Sequence, residues 1–300
     1  MEEKEITGLA REMGFAAAYF VDASLASDAP EGIASLLLLI APYHSWGAEE
    51  SGCAWISTYY YAAQKAYVKA KEMAEHLRAI GETAHQCNDV RIKPILSKMK
   101  DFSHGRNTIH YHKDFGSRFH VQMIGFENHH PMDKSLLREG SESGMCGSCQ
   151  RCLKACPTQA LTEEGFLRDR CLRQHMMRGT PIPAHLRSLM GSSLVGCDIC
   201  QKECPYNASL SEEPAPALFP LKPLLEEDPA AIVALSKTIG KNLAIPNRVC
   251  AQAIIAAGNS GDLTYLPILH KLTAHPSPIV KEHAIWAAEK LTSWADSKTE

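Results

Sequence analysis

The sequence predicts a three-part protein: an α/β N-terminal domain, a cysteine-rich middle organised by bound metal, and an α-helical C-terminal part. Three observations carry this. Apolar strand-like runs alternate with helical patterns up to about residue 127, eight of the eleven cysteines lie between Cys146 and Cys204, and the residues from about 216 onward are amphipathic and helical. The expected boundaries are therefore 1–127, 128–215 and 216–300. A chain of 300 residues with 45% hydrophobic and 22% charged residues has enough apolar surface for more than one core. Its formal net charge of −3 gives no global attraction to nucleic acid.

The start, "MEEKEITGLAREMGF", is charged and amphipathic, so residues 5–14 read as a helix and not as a secretory signal. "AAAYFVDA" (Ala16–Ala23) and "SLLLLIAPY" (Ser35–Tyr43) read as strands, the second being too short to span a bilayer. A long helix is expected over about Trp55–Ile80, where apolar and aromatic residues recur at three and four. "RIKPILSKMKDF" is a weaker helix because Pro94 sits inside it, and "FHVQMIGF" (Phe119–Phe126) is a strand. Residues 128–145, rich in turn formers, read as a linker. "PTQAL" and "RDRCLRQHMM" read as short helical pieces that cannot hold a core alone, so bound metal would supply the missing stabilisation. In the C-terminal part, "AQAIIAAGNSGD" and "KEHAIWAAEKLT" are weakly similar about thirty residues apart, which suggests HEAT-like stacked helix pairs. A plain helical bundle is the alternative. The chain is expected to be cytoplasmic and monomeric, with no membrane partner.

Eleven cysteines in a reducing compartment do not suggest a disulfide framework. In "CGSCQRCLKACP", three cysteines in a tight loop suit three corners of an iron–sulfur cube, and a fourth before Pro points away to a second cube. Cys146, Cys149 and Cys152 would hold the first cluster, and Cys156 would cross to the second. "CDICQKECP" mirrors this: Cys204, before Pro205, completes the first cluster, while Cys197 and Cys200 join Cys156. The fourth ligand of the second cluster is assigned to Cys171, the remaining cysteine of the region. Zinc is the rival for eight thiolates, but zinc ribbons have no need of the crossing Cys-Pro that occurs twice. Cys53, Cys87 and Cys250 stand apart and read as small apolar residues.

At these motifs the chain resembles the epoxyqueuosine reductase family, relatives of the reductive dehalogenases. The resemblance rests on "CGSCQRCLKACPTQAL", "RDRCL", "PIPAHLRSLMGSSLVGCDICQKECPYN" and "GRNTIHYHKDFGSRFHVQMIGF". It implies two 4Fe–4S clusters that pass electrons to a cobalamin in the N-terminal domain, with no protein side chain on cobalt, and removal of an epoxide oxygen from a queuosine precursor in tRNA. It implies cobalamin contacts at Arg106, Asn107, Ser117 and Asp198, a flavodoxin- or ferredoxin-type electron donor, and tRNA as a candidate partner. One departure matters. The family's Asp-Ser-Ala-Pro segment, whose Asp is the proposed proton donor, corresponds here to "DVRIKP", which places Arg91 at that position and leaves Asp89 out of register. No catalytic acid is carried over. An arginine there would attract an anionic group, such as a substrate carboxylate or a cofactor phosphate. The insertion between the first two strands and part of the loop around Pro94–Gly105 are also shortened.

Other features admit two readings each. Gly105–Arg118 could line the cofactor or simply join two strands as a hairpin. The histidine groups His110–His112 and His129–His130 could ligate metal but read more simply as solvated loop residues. Tyr59, Tyr60, Tyr61 and Tyr67 could flank a corrin or form a core stripe. The two function classes that follow are a cobalamin-dependent reductase, on tRNA or another substrate, and an electron-transfer protein with no bond-breaking centre.

Overall fold

A computed structural model describes residues 1–46, 50–140, 144–208, 212–213 and 218–297. Its two units interleave along the chain: Met1–Ser45, Ala62–Cys152 and Gln201–Ser211 form the first, and Trp46–Tyr61, Leu153–Cys200 and Glu212–Glu300 the second. This differs from the three consecutive domains the sequence suggests.

In the first unit, the run Leu36–Ile40 is wholly buried because its strand, Ser35–Pro42, is covered on both faces. Alternate side chains point to opposite sides of a strand. Leu37 and Leu39 therefore pack with Ile6, Phe20 and Met73, while Leu36, Leu38 and Ile40 pack with Ile95, Phe102 and Met123. Each such side chain contributes about 1.5–3 kcal/mol. The sheet order is Ala17–Asp22, Ser35–Pro42, Phe119–Phe126, Ala84–Gln86, and every pairing is antiparallel. Three of these strands fall where the sequence reading places them, Ala84–Gln86 is an additional one, and the sheet is not the parallel one of repeated βαβ units. The helix Glu3–Glu12 is closed by a capping box between Glu2 and Glu5. The helix at Pro94 is confined to Ile92–Leu96, where proline in the first turn loses no helical hydrogen bond.

The expected linker is partly built into this unit. His130 stacks on Phe20 with ring centroids 4.7 Å apart, and its backbone N–H donates to Ser35 Oγ at 2.8 Å. Leu137 bridges to Met99. Positions 141–143 of that linker lie outside the described residues.

In the second unit, the expected helix at Trp55 begins only at Thr58, because Cys53–Ile56 is a strand. It lies between Phe219–Pro220 and Ser193–Val195 in a three-stranded sheet. The C-terminal helices Pro229–Ile239, Pro246–Ser260, Leu266–Leu272 and Pro278–Asp296 share one core with Ala54, Ile56, Tyr60, Leu194 and Phe219. They do not close a core by themselves, so a boundary at 216 does not isolate them. A Cβ on Gly258 would come 2.8 Å from the Ala287 Cβ, which shows how closely the two long helices approach. "PTQAL" is not helical, and "RDRCLRQHMM" breaks at Cys171, which has an extended backbone before the helix Leu172–Met177. No helix among the described residues is long and apolar enough to cross a membrane.

Candidate metal centres

Cys146, Cys149, Cys152 and Cys204 all belong to the first unit, and Cys156, Cys171, Cys197 and Cys200 all belong to the second. The chain crosses between units within each motif, between Cys152 and Leu153 and between Cys200 and Gln201.

The first quartet lines one small hollow, together with Arg106, Asn107, Tyr111 and Tyr206. A turn with the Cys149 N–H donating to the Cys146 carbonyl at 2.9 Å folds the loop, and the helix Arg151–Ala155 carries Cys152. Cys204 is brought to this loop by its neighbours. Tyr206 Oη donates to the Met145 carbonyl at 2.8 Å, and Asn207 Nδ2 donates to Ser117 Oγ at 2.8 Å. Gln201 Nε2 donates to the Ser117 carbonyl at 3.0 Å, and the Ser117 N–H donates to Asn207 Oδ1 at 2.8 Å. The Arg106 N–H points to Cys146 Sγ at 3.4 Å, while its guanidinium donates to the Gly147 carbonyl at 2.9 Å. Burial pushes the Cys152 thiol up, and the charges of Cys146, Cys204 and Cys149 push it further. Four thiols around one hollow fit a cationic iron–sulfur core, which would hold all four as thiolates.

The second quartet is more sharply differentiated. Burial raises the Cys156 thiol, but the Thr158 hydroxyl and the N–H groups of Thr158, Ala160 and Leu161 outweigh it and hold the thiol below its ordinary value. The Ala160 N–H lies 3.3 Å from Cys156 Sγ. Burial drives the Cys197 thiol up to about 11, with the charges of Asp198, Cys171 and Cys156 adding to it. Cys171 and Cys156 thus lie within electrostatic reach of Cys197, and Cys200 follows in the short helix Ile199–Lys202. Gly196, at φ +93°, makes the bend before Cys197; a Cβ there would fall 2.5 Å from the Ser57 Cβ. Among the described residues no three His, Cys, Asp or Glu side chains converge on a single-ion position. A cube does not need that, since each thiolate binds its own iron corner.

The sequence-assigned cofactor contacts are largely committed to this scaffold. Ser117 is buried and ties Asn207 and Gln201 in place, as above. Asn107 is buried, accepts the Ile109 N–H at 3.3 Å and donates to Tyr111 Oη at 2.9 Å. Asp198 accepts from Ser57 Oγ at 2.6 Å. Arg106 is the exposed one of the four. Toward a corrin, therefore, these residues fit through Arg106 rather than through a ring of free polar groups.

Arg91 already has its anion. Its Nε donates to Asp28 Oδ2 at 2.8 Å, and its backbone N–H reaches the same oxygen at 3.0 Å. Asp89 is exposed. Gly105–Arg118 includes a hairpin strand, His110–His112, paired with Phe102–His104. His110, His112 and His130 are buried, not solvated, and His112 Nε2 meets Tyr19 Oη at 3.0 Å. Tyr60 is core: its hydroxyl accepts from Arg173 Nε at 2.7 Å, while Tyr67 is exposed. Cys87 and Cys250 are buried, and Cys53 is half-buried. Reading the sequence missed Tyr206, Asn207, Gln201 and Thr158. The "PYN" after Cys204 was the available signal, since a polar pair directly after a Cys-Pro turn can clamp it.

Two sets of four cysteines on crossing segments define a double-cluster iron–sulfur protein, and residues 145–207 match the 4Fe-4S double cluster binding domain. The chain is 29% identical to the epoxyqueuosine reductase of Lactococcus garvieae over 62% of its own length and 54% of that protein's. It is 34% identical to the epoxyqueuosine reductase of Bacillus subtilis over 49% of its own length and 41% of that protein's. An uncharacterized protein of Geobacillus stearothermophilus is 32% identical over 49% of this chain and 72% of that protein. The chain thus spans about half the length of the first two relatives. Its fold is that of a solved epoxyqueuosine reductase bound to a tRNA-Tyr epoxyqueuosine-modified stem loop, with a TM-score of 0.77 at 18% identity over 98% of this chain and 92% of that one. The Streptococcus thermophilus epoxyqueuosine reductase gives 0.75 at 21% identity over 98% and 91%. The chain thus carries a double-cluster domain on the fold of the epoxyqueuosine reductases and is similar in sequence to them over part of their length.

Proposed function

We propose that this chain is a reductase of the epoxyqueuosine type acting on tRNA, with two 4Fe–4S clusters and cobalamin as cofactors. One cluster sits on Cys146, Cys149, Cys152 and Cys204, and the other on Cys156, Cys171, Cys197 and Cys200. The observation that carries the reading is the sorting of eight cysteines into two quartets, one per unit, on a fold shared with solved epoxyqueuosine reductases. Removing an epoxide oxygen as water takes two electrons and two protons. The electrons come from a flavodoxin- or ferredoxin-type donor, one at a time, as cubes carry them. Cobalamin, when bound, supplies the reducing cobalt centre that a cube lacks for breaking a carbon–oxygen bond. The chain's own contribution is to hold the thiolates, shield the clusters and offer Arg106 beside the first quartet.

The experiment is reduced, cobalamin-loaded protein with epoxyqueuosine-containing tRNA, with queuosine read by mass spectrometry. Product formation supports the reading, and its absence with clusters reducible and cobalamin bound refutes the substrate.

Arg91 favours a second reading, an iron–sulfur electron-transfer protein or a reductase of another substrate. The position of the family's acid is held by a cation already paired with Asp28. A general acid contributes about 10²–10⁴-fold, and a guanidinium does not release its proton. Equilibrium dialysis separates the two: one cobalamin per chain supports a reductase, and none at high micromolar cobalamin supports electron transfer.

A further inference from the structure

Tyr111 lies in the wall of the first quartet's hollow and is only 3% exposed. A buried phenol needs partners for its oxygen and for its hydrogen. Asn107 Nδ2 donates to the oxygen at 2.9 Å, and the Ile109 N–H on Asn107 Oδ1 fixes which way that amide points. Ser117 and Cys204 are its other polar neighbours, and Cys204 stands in the wall of the same hollow. With its oxygen receiving Asn107, the phenol has its hydrogen free to donate, and the Cys204 sulfur in the same hollow is an acceptor for it to take. The ring is held edge-on against Tyr206, with centroids 6.0 Å apart, and Tyr206 itself clamps the Cys204 segment to Met145. The phenol is thus aimed by packing as well as by hydrogen bonds.

We propose that Tyr111 sets the reduction potential of the first cluster by donating its phenol hydrogen to the Cys204 sulfur. This rests on the double-cluster reading but not on the substrate. The reduced cluster carries one more negative charge than the oxidised one. A hydrogen bond to a ligand sulfur stabilises the more negative state, and such bonds are among the determinants of cluster potential. The bond therefore raises the potential of this cluster. The second quartet lies in the other unit and has its own donors at Cys156, so it is not affected.

The test is a redox titration of the anaerobically purified full chain, followed by electron paramagnetic resonance, on wild type, Tyr111→Phe and a chain with 3-fluorotyrosine placed at position 111. Tyr111→Phe keeps the ring and its contact with Tyr206 but removes the donated hydrogen. The expected result is a fall in the reduced-to-oxidised ratio of the first cluster by about tenfold at fixed poise, or about 59 mV for one electron. The second cluster should be unchanged and iron should stay at about eight per chain. The fluorinated phenol is a stronger donor, so the same cluster should shift the opposite way. If Tyr111→Phe fails to assemble, the fluorinated chain decides alone. An unchanged first-cluster potential in a variant with full iron overturns the proposal while leaving the double-cluster reading intact. A wild-type chain that takes up no iron and sulfide overturns both.

Discussion

Cys200 and Cys204 are four residues apart in one segment, yet they belong to different quartets with different surroundings. Cys204 shares a hollow with a buried phenol, an exposed arginine and Cys152, whose thiol burial pushes up. Cys200 joins a quartet in which backbone N–H groups lower one thiol while burial drives another, Cys197, to about 11. The same motif, used twice, produces two electrostatic environments. The lesson is that spacing selects the kind of cofactor, whereas the units into which the ligands fold tune each copy separately.

The largest effect should come from breaking the crossing. Cys204→Ala should remove the first cluster and Cys200→Ala the second, each taking iron from about eight to about four per chain at four irons per cube. Iron analysis with paramagnetic signals checks this. Loss of the same cluster in both variants would refute the quartets. Cys171→Ala should behave like Cys200→Ala.

Next comes packing. Leu38 is fully buried in the first unit, so Leu38→Ala should cost about 2–5 kcal/mol. Chemical denaturation followed by the cluster absorbance measures it, and the first cluster should bleach before the second.

A smaller, pH-dependent effect belongs to the second unit. His283 is fully buried and accepts the Ile182 N–H at 3.0 Å. Burial, then the Arg187 charge, holds its imidazole down at about 4 against an ordinary 6.5. The unfolded chain takes up this proton near 6.5 and the folded chain only near 4. Its contribution is therefore full above 6.5, lost as pH falls from 6.5 to 4, and constant below. The loss is about 3 kcal/mol in all, at about 1.4 kcal/mol per pH unit. Denaturation midpoints of wild type and His283→Gln at neutral and acid pH test this. An equally acid-sensitive variant would rule out His283 as the cause.

The smallest effect should be that of Arg91→Ala. Its side chain is 69% exposed and its ion pair with Asp28 is open to solvent, so the melting midpoint should stay within error. A marked loss of stability would mean that the position is structural.

Much of this molecule was legible in local pattern. The strands Ala17–Asp22, Ser35–Pro42 and Phe119–Phe126 follow from apolar runs, and the C-terminal helices from their periodicity and breaks. The cysteine spacing with its two Cys-Pro pairs points to crossed ligation, because a proline turn after the last cysteine redirects the chain. Four things needed the tertiary structure. The antiparallel strand order and the strand at Cys53–Ile56 depend on partners far away in sequence. The C-terminal helices share their core with residues some two hundred positions earlier, a pairing that periodicity cannot report. The buried histidines looked like solvated loop residues, because a polar side chain is covered only when distant segments supply its partners. The surroundings of each thiol, from Tyr111 at Cys204 to the amides at Cys156, arise where separate stretches of chain meet. The sequence by itself determined which atoms are available as ligands, since that is a matter of residue type and short spacing. Only the tertiary structure decided what surrounds them, since desolvation and hydrogen bonding act through space and not along the chain.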